Sequence, residues 1–85
     1  MPYSHKLFGA RVREARKARG MTQKQLALRA SGFPYQVICH VEHGRQGVSA
    51  ERLAAIAQAL DVSADWLLGI SESKTRHDNE NGRPT

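Results

Sequence analysis

A chain of 85 residues with 40% apolar residues and a net charge of +5 holds enough for one small domain with a modest core. No stretch is long and apolar enough for a membrane span or a signal peptide. The lone cysteine, Cys39, excludes an internal disulfide framework, so a cytoplasmic protein is expected. Charge is unevenly placed: residues 1–45 carry nine Lys/Arg against two acids, and residues 46–69 one base against three acids. A basic half beside a mildly acidic one suits a domain with one face on a polyanion and another free for a partner.

Five helices are expected in chain order, and no strand pattern competes with them. The first runs from about Ser4 to Arg19, with Ser4 as N-cap, Tyr3 and Phe8 placed as a hydrophobic staple, and Leu7, Phe8, Val12 and Ala15 as its apolar stripe. Gly20 ends it. The second covers about Thr22 to Ala30. Thr22 and Gln25 have capping-box spacing, and Met21 and Leu26 flank the box as a second staple. The apolar pattern breaks at Ser31-Gly32. Pro34 then restarts a helix at its first position, where a missing N–H costs nothing, and Gly44 stops it near His43. That third helix turns Ile38 and Val41 inward and leaves Tyr35, Gln36, Cys39, His40 and His43 outside, a polar face suited to base edges.

A loop from Gly44 to Val48 leads to Ser49, the N-cap of a fourth helix in which Leu53, Ile56, Ala57 and Leu60 recur at i, i+3, i+4 and i+7. Asp61 follows at a position expected to be left-handed. Ser63 caps a short fifth helix with Trp66, Leu67 and Leu68 as its apolar content, closed by Gly69. Residues 1–69 therefore read as the domain, and residues 70–85 as a polar, disordered tail.

The order of these elements resembles the Cro/lambda-repressor-like, XRE-type helix-turn-helix family. The matching elements are Arg13-Glu14-Ala15-Arg16 before Gly20, Met21-Thr22-Gln23-x-x-Leu26-Ala27, Gly32-Phe33, Ile38, and Val41-Glu42-x-Gly44. They continue through Ser49-x-x-x-Leu53, Ile56-Ala57-x-Ala59-Leu60 and Val62-Ser63-x-Asp65-Trp66-Leu67. Each element is weak alone; their order and spacing together are specific, and they span about residues 7–69. The resemblance implies an all-α, compact five-helix domain whose third helix enters the major groove while the second lies across the DNA backbone. Two departures stand out. One extra residue separates Leu26 from Gly32, so Ala30-Ser31 must bulge or lengthen the turn, and Pro34 occupies the place of the usual Ser/Thr cap.

Carried over residue by residue, the resemblance implies that Tyr35, Gln36 and His40 meet bases, with Cys39 at a nearby edge. Gln23 matches a glutamine that bonds a phosphate beside the groove, and Lys24, Gly44, Arg45 and Gln46 fall where the family touches phosphates. Arg16 and Glu42 match a buried ion pair tying the first helix to the third. The chemistry agrees: a glutamine can pair bidentately with adenine, and a histidine can donate to guanine. Helix five, through Trp66, Leu67 and Leu68, is the expected dimer surface, with core packing of Trp66 as the alternative.

Cys39, His40, Glu42 and His43 share helical faces, but nothing supplies further ligands at defined spacing, so neither metal nor cofactor is expected. No nucleophile–base–orienter set, carboxylate pair or phosphate loop suggests an enzyme. The resulting expectation is a sequence-specific double-stranded DNA-binding regulator, repressor-like and homodimeric, on a palindromic operator. The alternative of another class is an antitoxin or protein-interaction adaptor keeping the same fold, with a partner such as a cognate toxin.

Overall fold

Four hydroxyl side chains set where helices begin. In the computed structural model, which describes residues 3–75, Ser4 accepts from the Leu7 amide at 3.2 Å, Thr22 from Gln25 at 3.0 Å, Ser49 from Arg52 at 3.2 Å and Ser63 from Trp66 at 3.2 Å. They open α1 (His5–Ala18), α2 (Gln23–Ala30), α4 (Ala50–Leu60) and α5 (Ala64–Leu68). The Gln25 side chain accepts in return from the Thr22 amide at 2.9 Å, completing a capping box. The remaining helix, α3 (Tyr35–Glu42), has no side-chain cap. Among the described residues there is no strand.

The apolar stripes meet in one core, drawn from Phe8 and Val12 of α1, Leu26 of α2, Ile38 and Val41 of α3, Ile56 and Leu60 of α4, and Leu67 of α5. α3 packs against both α1 and α2, while α4 lies on α2 and α5 closes against α1 and α4. One of these contacts is backbone to backbone. Gly9, buried in mid-α1, lies so close to the Val41 carbonyl that a Cβ there would overlap it. This missing side chain sets the distance between α1 and α3.

The structure departs from the sequence expectations in three places: first the start of α3, then the tail and α5. Pro34 stands one place earlier than expected, as N-cap with extended backbone (ψ 137°), so α3 begins at Tyr35. The extra residue between Leu26 and Gly32 does not distort α2, which continues to Ala30 with Ser31 as C-cap; the Gly32 amide closes the end by donating to the Ala27 carbonyl at 2.9 Å. Asp61 takes the expected left-handed conformation, at φ 57°.

Second, the polar tail divides. Arg11 donates to the Trp66 and Ser71 carbonyls at 2.6 and 3.2 Å and to Glu72 at 3.1 Å, and the Ser63 amide donates to the Lys74 carbonyl at 3.0 Å. Residues 70–75 are thus laid along α1 and α5; residues 76–85 of the expected disordered tail lie outside the described residues.

Third, two of the three residues of the expected dimer surface on α5 point inward. Trp66 and Leu67 are buried in the chain's own core, and the Arg11 guanidinium and the Lys74 ammonium lie 4.9 and 5.1 Å from the Trp66 ring. A five-residue helix has too few turns for periodicity to say which apolar residue points in. What this end of the chain offers outward is half-buried Leu68 and the exposed Ile70.

Candidate nucleic-acid interface

Ile38 and Val41 fix the roll of α3 about its axis, because both are fully buried. The opposite side then faces out: Tyr35, Gln36 and His40 are exposed and Cys39 is half-exposed. The helix starts without a side-chain cap, so its first amides lack the partner that a Ser or Thr would supply. At the other end His43, Gly44 and Arg45 form a Schellman-type stop. The Gly44 amide donates to the Val41 carbonyl at 2.9 Å and the Arg45 amide to the His40 carbonyl at 3.0 Å. Gly44 is left-handed at φ 74°, which a side chain would strain, and its Cα faces the backbone of Lys6 at the start of α1. That turn leaves Arg45 exposed and Gln46 half-buried.

The side of α3 that meets α1 and α2 is tied by ions. Arg16 donates from Nε to Glu42 Oε2 at 2.6 Å and from Nη2 to Oε1 at 3.0 Å, and its Nη1 donates to the Met21 carbonyl at 2.7 Å. Both side chains are nearly out of water, at 11% and 3% exposure. The hydrogen bonds that Arg16 donates to Glu42 raise the Arg16 pKa above the usual arginine value; burial opposes them and the carboxylate charge adds to them. Gln23 joins the pair by donating from Nε2 to Glu42 Oε1 at 3.1 Å. One buried carboxylate therefore gathers α1, the first residue of α2, and the last of α3. Glu42 is also the only acid in α3, so the outward face of that helix shows no negative charge.

Lys24, one residue on from Gln23, holds its ammonium 5.0 Å above the Tyr35 ring and so links the α2 start to the α3 start. Beside them Leu28 is 75% exposed, on the rim of a shallow hollow of about 280 Å³ with Phe33 and Tyr35; two positions on from Leu26, it lies on the opposite side of α2 from the buried Leu26 and Ala27. On the far edge His43 donates from Nδ1 to the Cys39 carbonyl at 2.8 Å, which directs its other ring nitrogen outward. Among the described residues no three metal-ligating side chains converge, and no helix is long and apolar enough to cross a membrane.

The structure thus gathers Gln23, Lys24, Tyr35, Gln36, Cys39, His40, Gly44, Arg45 and Gln46 along α3 and its two ends, and leaves Trp66, Leu67 and Leu68 apart. Sequence reading missed Gly9, whose place in mid-helix looks merely unfavourable until α3 lies against it.

Residues 12–67 match the family described as helix-turn-helix. The chain is 41% identical over 71 residues to a transcriptional regulator in the ATPase CF(0) region of Rhodospirillum rubrum; the match takes in 82% of this chain and 65% of that one, so this chain spans just under two thirds of that relative. Its fold is similar to the restriction-modification controller protein C.AhdI of Aeromonas hydrophila, with TM-score 0.69, 35% identity, and 74% and 94% of the two chains covered. It is also similar to the P22 c2 repressor protein, solved in complex with a synthetic operator, with TM-score 0.72, 31% identity, and coverage of 76% and 97%.

Proposed function

The chain belongs to the Cro/lambda-repressor-like, XRE-type family of helix-turn-helix DNA-binding transcriptional regulators, and from that premise we propose that it is a repressor acting as a homodimer on a palindromic operator. The observation that carries the reading is the outward row of Tyr35, Gln36 and His40 on a helix whose only acid is buried. Gln36 offers a donor and an acceptor in the geometry that adenine N6 and N7 accept, and His40 offers a donor for guanine or a phosphate. Tyr35 is set to meet a thymine methyl or a sugar. Gln23, Lys24, Arg45, Gln46 and the Gly44 backbone supply phosphate contacts that fix register without reading sequence. Gln23 keeps a second amide N–H beyond the one given to Glu42.

Repression is supported by likeness to the P22 c2 repressor, and dimerisation by the exposed apolar Ile70 beside Leu68. A two-fold dimer would place two copies of α3 in major grooves about one helical turn, roughly 34 Å, apart. Selection of bound sequences from a random duplex library tests this. An inverted repeat with that spacing is expected, and a promoter carrying it should fall in output when the protein is present. Recovery of no motif overturns the DNA reading, a lone half-site overturns the dimer, and rising output overturns repression.

A further inference from the structure

The six Lys and Arg residues between positions 6 and 19 divide into two sets. Arg11, Arg16 and Arg19 each meet an acid of the chain itself: Glu72 at 3.1 Å, Glu42 at 2.6 Å and Asp61 at 3.2 Å. Lys6, Arg13 and Lys17 are exposed and, among the described residues, form no ion pair. With Ala10 they follow the i, i+4, i+7, i+11 rule, so they share one face of α1. Together with His43 and Gly44 they line a groove of about 510 Å³ between α1 and the end of α3. Two carboxylates also line it, and both are already matched, Glu42 by Arg16 and Glu14 by Lys74 at 3.5 Å. Ala10 keeps the middle of the row low.

Resting on the DNA reading above, we infer that this face of α1 is a second phosphate-binding surface, which follows the DNA backbone beside the groove that α3 occupies. Lys6 to Lys17 spans about 16 Å along the helix, the reach of several phosphates on a strand that presents one per about 3.4 Å of axis. The surface adds affinity without adding sequence preference, because every contact it can make is to charge alone. It lies outside the helix-turn-helix, on a helix whose role there is otherwise to support α3.

The test is the salt dependence of binding by the full chain to its selected operator and to a scrambled duplex, between about 50 and 200 mM salt. Arg13→Ala/Lys17→Ala is compared with the charge-keeping Arg13→Lys/Lys17→Arg, with helical content of each checked by circular dichroism. The alanine pair should make the log–log slope shallower by about 2 on both duplexes and leave their affinity ratio unchanged, while the charge-keeping pair retains the original slope. An unchanged slope in a folded alanine variant overturns the inference. Loss of the affinity ratio also overturns it, by showing a role in base readout. If the unaltered chain binds no duplex, both this inference and the DNA reading fall.

Discussion

Arg16 and Glu42 face each other through two parallel hydrogen bonds, and the same carboxylate receives Gln23. The residue that seats the recognition helix is thereby bonded to the residue expected to touch the backbone, so the roll of α3 and the position of the α2 start are set together. A buried pair of this kind is costly to break and nearly neutral to replace, since its attraction largely offsets lost hydration. Glu42→Gln or Arg16→Met should destabilise the fold by about 3–5 kcal/mol in urea unfolding, and the double replacement Arg16→Met/Glu42→Leu should recover much of that loss. Equal stability of the single variants and the unaltered chain would contradict the coupling.

Gly9 makes a second demand on the same contact. A methyl group there meets the Val41 carbonyl, which neither helix can avoid without sliding apart. Gly9→Ala gains helix propensity yet should still lose about 1–3 kcal/mol of stability by overpacking. It should weaken DNA binding too, as α3 shifts away from α1. A stability gain in thermal unfolding would show that the two helices part freely.

Gln36 and Arg45 separate reading from holding. Gln36→Ala should lower the preference for the operator over a scrambled duplex by about 1–3 kcal/mol, with non-specific binding nearly intact. Arg45→Ala should weaken both alike and reduce the salt slope by about 1. Titrations in which both variants change the two duplexes in the same ratio would erase the division.

Much of this was legible in the chain because helix ends leave local marks. Ser4, Thr22 with Gln25, Ser49 and Ser63 each act within three or four residues, and each caps the helix its spacing foretold. Ile38 and Val41 likewise settle which side of α3 is buried by periodicity alone. What escaped depends on distant partners. Arg11 reaches Trp66 and Ser71 across more than fifty positions, so neither the burial of Trp66 nor the anchoring of residues 70–75 has a local signature. Gly9 belongs to the same class, since only the approach of α3 gives its hydrogen a purpose. Pro34 differs for a smaller reason: proline fixes φ for either the cap or the first helical position, and ψ decides between them.

The central claim is that the outer side of α3 meets duplex DNA while its inner side remains packed. Amide chemical shifts of the full chain, followed by NMR as its selected operator is added, test it most directly. Tyr35, Gln36 and His40 should shift and saturate together at the binding stoichiometry, with Ile56 and Leu60 unmoved. Saturable shifts confined to other surfaces, with those three amides unchanged, would contradict it.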